Sequence, residues 1–124
     1  ARFLPGLQDD FFTQFEALLE PGVTYEAEVL DVSVNTTFDG RLVDTMTAAL
    51  LAEDPLAIPV PYTMSGGTDA KSLSLLGIRC FGFAPLQLPP ELDFTALFHG
   101  IDERVPVASL EFGVRVLDRF LRNA

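Results

Sequence analysis

The sequence predicts an α/β protein, and three observations carry that reading. Apolar residues recur at helical spacing in four stretches, while others alternate or run continuously apolar as strands do. Proline and glycine stand between these stretches, where a chain must turn. Helical and strand-like segments follow one another along the chain without any internal repeat.

The first segment, "ARFLPG", reads as the end of an apolar strand stopped by Pro5 and Gly6. "LQDDFFTQFEALLEPG" reads as a helix capped by Asp9 or Asp10, with Phe11, Phe12, Phe15, Leu18 and Leu19 on one stripe. In "VTYEAEVLDVSV", Val23, Tyr25, Ala27 and Val29 oppose Thr24, Glu26 and Glu28, the alternation of a strand. A second helix is expected from Asp39 to about Glu53, with Leu42, Val43, Met46, Ala49 and Leu50 as its stripe. "PLAIPVPYTM" is β-prone, although Pro59 and Pro61 argue against a central, fully paired strand. A loop and helix follow in "SGGTDAKSLSLLG", with Thr68 as N-cap, Asp69 in the first turn and Gly77 as the stop. "IRCFGFAP" reads as a buried strand, and residues 86–104 as a long irregular segment of the kind that carries function. The last helix is expected from about Pro106, with Leu110, Val114, Leu117 and Leu121 inward and Glu111 paired to Arg115.

Charge narrows the partners. The chain carries 18 acids against 8 Lys and Arg, a net charge of −10. Residues 1–54 hold 11 of those acids against Arg2 and Arg41 alone. So acidic a chain repels a phosphate backbone, and no nucleic-acid partner is expected. No apolar run is long enough to span a bilayer and no signal-peptide pattern is present, so no membrane partner is expected either. The single cysteine, Cys80, excludes an internal disulfide and is expected as buried packing in a reducing, cytoplasmic setting.

Two stretches have the composition of sites. In "SGGTDAKS", two glycines before a helix let backbone N–H groups approach an anion, and a carboxylate fits best. The Gly-Lys-Ser/Thr ending of a phosphate loop is missing, because Ala70 precedes Lys71. The same residues also read as a tight turn feeding a helix. In "LFHGIDERVPV" stands the only histidine, His99. It reads either as a ligand at a sheet edge or as a structural or solvent-facing side chain. Asp102 and Glu103 either orient its imidazole or cap the final helix. No HxxxH, HExxH or CxxC pattern exists, so a self-contained metal site is not expected.

In order, "RFLPG", a helix, a strand and then "PYTMSGGTDAKSLSLLGIRCFGFAPLQLPPELDFTALFHGIDERVPVASLEFGVRVLDRFL" resemble the C-terminal third of the co-catalytic zinc aminoacylase/carboxypeptidase family. That family includes acetylornithine deacetylase, succinyl-diaminopimelate desuccinylase and the glutamate-type and vacuolar carboxypeptidases. The resemblance covers essentially the whole chain and is most specific over residues 61–122. It implies that residues 1–34 are the second half of a ferredoxin-like lid or dimerisation domain and 35–124 the C-terminal part of the catalytic α/β domain. It implies that His99 ligates one of two zinc ions. It also implies that Ser65, Gly66, Gly67, Thr68 and Asp69 receive a substrate carboxylate, the substrate being a peptide or N-acyl amino acid.

The family's other metal ligands and its general-base Glu stand in an upstream H-x-D and Glu-Glu segment, which these residues do not contain. One imidazole supplies one of about four ligands a zinc takes. The resemblance therefore implies a fragment or truncated form, inactive alone, with no catalytic residue of its own and with zinc unbound or weakly bound. Some family members also place a substrate-binding Arg or His in the lid, a position for which Arg2 is a candidate. A non-catalytic binding or dimerisation module and an unrelated small anion-binding domain are the alternatives. Apolar faces left uncovered predict a homo-oligomer.

Overall fold

The computed structural model describes residues 3–64 and 66–124. Among the described residues the regular elements are four α-helices, α1 (Gln8–Ala17), α2 (Arg41–Glu53), α3 (Ala70–Ser74) and α4 (Val107–Asn123), with a short 3₁₀ turn at Thr95–Leu97. A helix stands in each of the four segments where the sequence predicts one, although α1 ends before Leu18 and Leu19 and α3 before the Gly77 stop. Among the described residues no strand is assigned, and 23–34 and 78–85 run without a ladder. A strand's backbone bonds must be made to another strand, whereas a helix makes its own.

The chain divides into two compact units, Ala1–Thr37 with Tyr62–Phe81, and Phe38–Pro61 with Gly82–Ala124. The second unit is built on the pairing of α2 with α4. Gly40 precedes α2 at φ 87°, a left-handed conformation that a glycine adopts without strain. Val43, Met46 and Ala49 are the buried residues of α2. Ala49, Phe112 and Val116 form the core, with Leu50, Phe83 and Phe120 packed around them. Phe83 meets Phe120 edge-on at 5.5 Å between ring centroids.

The segment after Phe83 lies directly on α4. A Cβ on Gly113 would sit 2.7 Å from the Pro85 carbonyl oxygen, so only glycine allows that approach. One turn away, the buried Ser109 hydroxyl donates to the Gln87 carbonyl at 2.6 Å, which satisfies both groups. At the far end, Glu53 accepts hydrogen bonds from Arg115 at 2.8 Å and Arg119 at 2.6 Å. These bonds, Arg115's first, hold the Glu53 carboxyl below its ordinary pKa. Arg115 therefore pairs across to α2, not with Glu111 as helical spacing suggests.

The inward face of α4 also differs from expectation. Leu110, Val114, Leu117 and Leu121 are exposed, while Ser109, Phe112, Gly113 and Val116 are buried. Apolar residues occupy more than half the circumference of this helix, and α2 with the Pro85 segment covers only one side of that broad arc.

The first unit holds together differently. No residue of α1 is buried. Five rings instead form a half-covered cluster: Phe3 stacks on Phe11 at 5.2 Å, Phe11 on Phe15 at 6.1 Å, and Tyr25 meets Phe15 edge-on at 5.0 Å and stacks on Phe12. The Tyr25 hydroxyl donates to Glu16, whose carboxylate pushes the phenol's pKa up. Asp9 and Asp10 lie inside the first turn of α1, where they favour the helix dipole; Leu7 takes the cap position without a side-chain bond. Cys80 is half-buried rather than fully packed, with its thiol 3.7 Å from the Ile78 carbonyl.

Candidate functional site

The glycine-rich loop belongs to the first unit. Ser65 lies outside the described residues, as does Arg2. Gly66, Gly67, Thr68 and Asp69 are all exposed and lead directly into α3. The Thr68 hydroxyl accepts the Ala70 N–H at 3.3 Å, and the Thr68 carbonyl accepts the Lys71 N–H at 3.3 Å. Thr68 thus starts the turn as its chemistry predicts, although the residue at the cap position is Asp69.

An open depression of about 320 Å³ lies against this loop, lined by Asp31, Gly67, Thr68, Asp69, Lys71 and Ser72. Every lining side chain is polar, and Gly67 contributes bare backbone. Lys71 is the only cation in the lining, and its Nζ lies 2.7 Å from Asp31 Oδ2. Two carboxylates therefore face one ammonium, and the depression at rest is one charge negative. Periodicity and motif reading single out the loop but miss Asp31. Asp31 and Lys71 are 40 residues apart, and only folding brings an acid of the 23–34 segment to this lysine.

His99 belongs to the second unit, in the turn that follows Thr95–Leu97. That turn is tied down from several sides. Asp93 accepts from the Thr95 hydroxyl at 3.0 Å and from the Ala96 N–H at 3.2 Å, and the Gly100 N–H donates to the Leu97 carbonyl at 3.0 Å. His99 is exposed and has φ 60°, the left-handed region that non-glycine residues enter only at a cost. Its backbone N–H donates to Glu103 Oε2 at 3.2 Å. Glu103 thus holds the backbone of this turn, and α4 has Pro106 at its cap position and no side-chain cap bond. Asp102 contributes its carbonyl, which accepts from Arg104 at 2.8 Å.

Among the described residues no three His, Cys, Asp or Glu side chains are grouped so as to hold a metal ion. They do not form a zinc cage by themselves, because His99 brings a single imidazole and no grouped carboxylates. No helix among the described residues is long and apolar enough to cross a membrane.

The chain matches the model of one family, the peptidase family M20/M25/M40, over residues 9–123. The chain belongs to that family. Peptidases of that family generally bind zinc. No curated protein and no solved structure matches the chain.

Proposed function

We propose that this chain is the C-terminal share of an M20-type, zinc-dependent amidohydrolase that cleaves peptides or N-acyl amino acids. Within the family, the acetylornithine deacetylase and succinyl-diaminopimelate desuccinylase group is the proposed branch. Residues 1–34 take the part of the lid and 35–124 that of the catalytic α/β domain. His99 supplies one zinc ligand, and the remaining ligands and the general base come from residues outside these 124. The loop at Ser65, Gly66, Gly67, Thr68 and Asp69 receives the substrate carboxylate. The half-buried free thiol of Cys80 fits a reducing, cytoplasmic setting.

One observation carries this reading. The family match spans nearly the whole chain and contains one histidine, exposed and held at φ 60° by a bonded turn. Strain kept at an exposed residue needs a use, and a metal ligand is the use the family chemistry offers. Zinc calorimetry on the purified chain, paired with His99→Ala, tests it. The expected result is binding no tighter than that of one surface imidazole, falling further in His99→Ala, which removes the only imidazole. Tight binding that depends on His99 would show a complete site built by this chain alone, and would overturn the division of ligands.

A second reading, a non-catalytic binding or dimerisation module, draws on α4. Leu110, Val114, Leu117 and Leu121 form an uncovered apolar row on this helix. A second copy of the chain is the proposed partner for that row, and a clean monomer at micromolar concentration by light scattering would rule it out.

A further inference from the structure

We propose that Glu103 is the positioning residue of the histidine turn. Its carboxylate takes the His99 N–H, turns the chain out of the 3₁₀ helix and so fixes the direction in which the imidazole leaves the backbone. This rests on the proposed role of His99 as a zinc ligand, and it names what sets the geometry of that ligand before any metal arrives.

The hydrogen bonds along the turn break step at His99. The N–H groups of Leu97, Phe98 and Gly100 each donate to the carbonyl three residues back, on Phe94, Thr95 and Leu97. A 3₁₀ turn continued in that order would send the His99 N–H to the Ala96 carbonyl. It goes to Glu103 Oε2 at 3.2 Å instead, and at that residue φ becomes 60°. Chains that leave a helical turn through the left-handed region usually place glycine or asparagine there. Here the glycine stands one residue later, where a Cβ on Gly100 would lie 3.1 Å from the Leu97 carbonyl oxygen. The glycine thus occupies the position short of space, and the conformational cost falls on the histidine.

Such a cost persists only where neighbouring contacts outweigh it. A backbone N–H bonded to a carboxylate makes a charge-assisted bond, of the same order as the cost of a left-handed L-residue. Glu103 is four residues from His99, so closing this loop costs little entropy. The two neighbouring acids are employed differently. Asp93 fixes the entry of the turn, at Thr95 and Ala96, and Asp102 takes part through its carbonyl, which accepts from Arg104. A ligand whose backbone is fixed in advance loses less freedom when it binds.

The test is NMR on the purified, metal-free chain, reading the intraresidue NOE between the amide and Hα protons of His99. That NOE is strong at φ 60°, where the two protons are eclipsed. Wild type is expected to show it. Glu103→Ala is expected to lose it and to shift the His99 amide signal, with the α4 signals and the circular-dichroism spectrum unchanged. Glu103→Gln keeps a side-chain carbonyl at the same reach and is expected to restore it, and Asp102→Ala to leave it as in wild type. A strong NOE that survives in Glu103→Ala overturns the assignment. So does loss of α4 in that variant, because Glu103 would then hold the fold and not the turn. No metal enters these readouts. A zinc result against His99 as a ligand therefore removes the use of the turn and leaves its geometry standing, whereas a failed NOE removes Glu103 and leaves the ligand standing.

Discussion

The two units of this chain solve the same problem with different means. In the second, α2 and α4 bury Val43, Met46, Ala49, Phe112 and Val116, a glycine admits a backbone carbonyl, and a buried hydroxyl finds its acceptor. In the first, α1 buries nothing, and order comes from five half-covered rings, a tyrosine–glutamate bond and an ion pair. Close packing is intolerant of change, whereas partly wet contacts give way gradually. The second unit should therefore behave as the rigid partner of the pair, and the first as the one that yields. The proposed carboxylate loop sits in the yielding unit, and the histidine turn in the rigid one.

Truncating a ring in each unit breaks this comparison most directly. Phe112→Ala removes a side chain that is 5% exposed from the α2–α4 core. It should cost about 3–5 kcal/mol, as ring deletions in close-packed cores do. Phe12→Ala removes a half-covered ring from the first unit and should cost about 1 kcal/mol, since water already reaches it. Chemical denaturation followed at 222 nm measures both. Equal losses would mean that the aromatic cluster is as well packed as the helix pair.

A smaller effect should appear with acid. Glu53 is held by Arg115 and Arg119, and its folded-state pKa lies below the ordinary carboxylate value of about 4.3. The sign follows from linkage. A depressed folded pKa contributes stability above the unfolded value, and that contribution disappears as pH falls through the folded one. Wild type should therefore lose its advantage over Glu53→Gln as pH drops below about 4. A difference independent of pH would show that packing, not charge, carries the contribution of Glu53. In the first unit the Tyr25 phenol is pushed up by its hydrogen bond to the Glu16 carboxylate.

What could be read from the sequence divides along the same physical line. The helices were legible because each one's hydrogen bonds close within its own segment, and Leu42 to Leu50 or Val107 to Leu121 show the spacing openly. Which side of α4 faces inward was not legible. With Phe112, Val116 and Phe120 on one side and Leu110, Val114, Leu117 and Leu121 on the adjacent one, periodicity cannot choose between them. Strand pairing, the Arg115–Glu53 bond and the Asp31–Lys71 pair all depend on residues distant in sequence. The candidate site shows the same split: the Gly-Gly-Thr loop and His99 stand out as motifs, while Asp31 belongs to no motif at all.

The smallest expected effect is at His99, and its sign is informative. At φ 60° an L-residue carries a conformational cost of about 1–2 kcal/mol that glycine avoids. Glycine gives back about 0.5–1 kcal/mol through its freer unfolded state. His99→Gly should therefore be equal to wild type or more stable by about 1 kcal/mol, and His99→Val less stable, because branching at Cβ resists this conformation. The exposed imidazole offers no buried packing whose loss would reverse that order. A loss of several kcal/mol in His99→Gly would make this a structural histidine and remove the case for a metal ligand. A gain would show that the turn keeps an imidazole at the expense of its own stability, as a residue retained for binding does and a residue retained for folding does not.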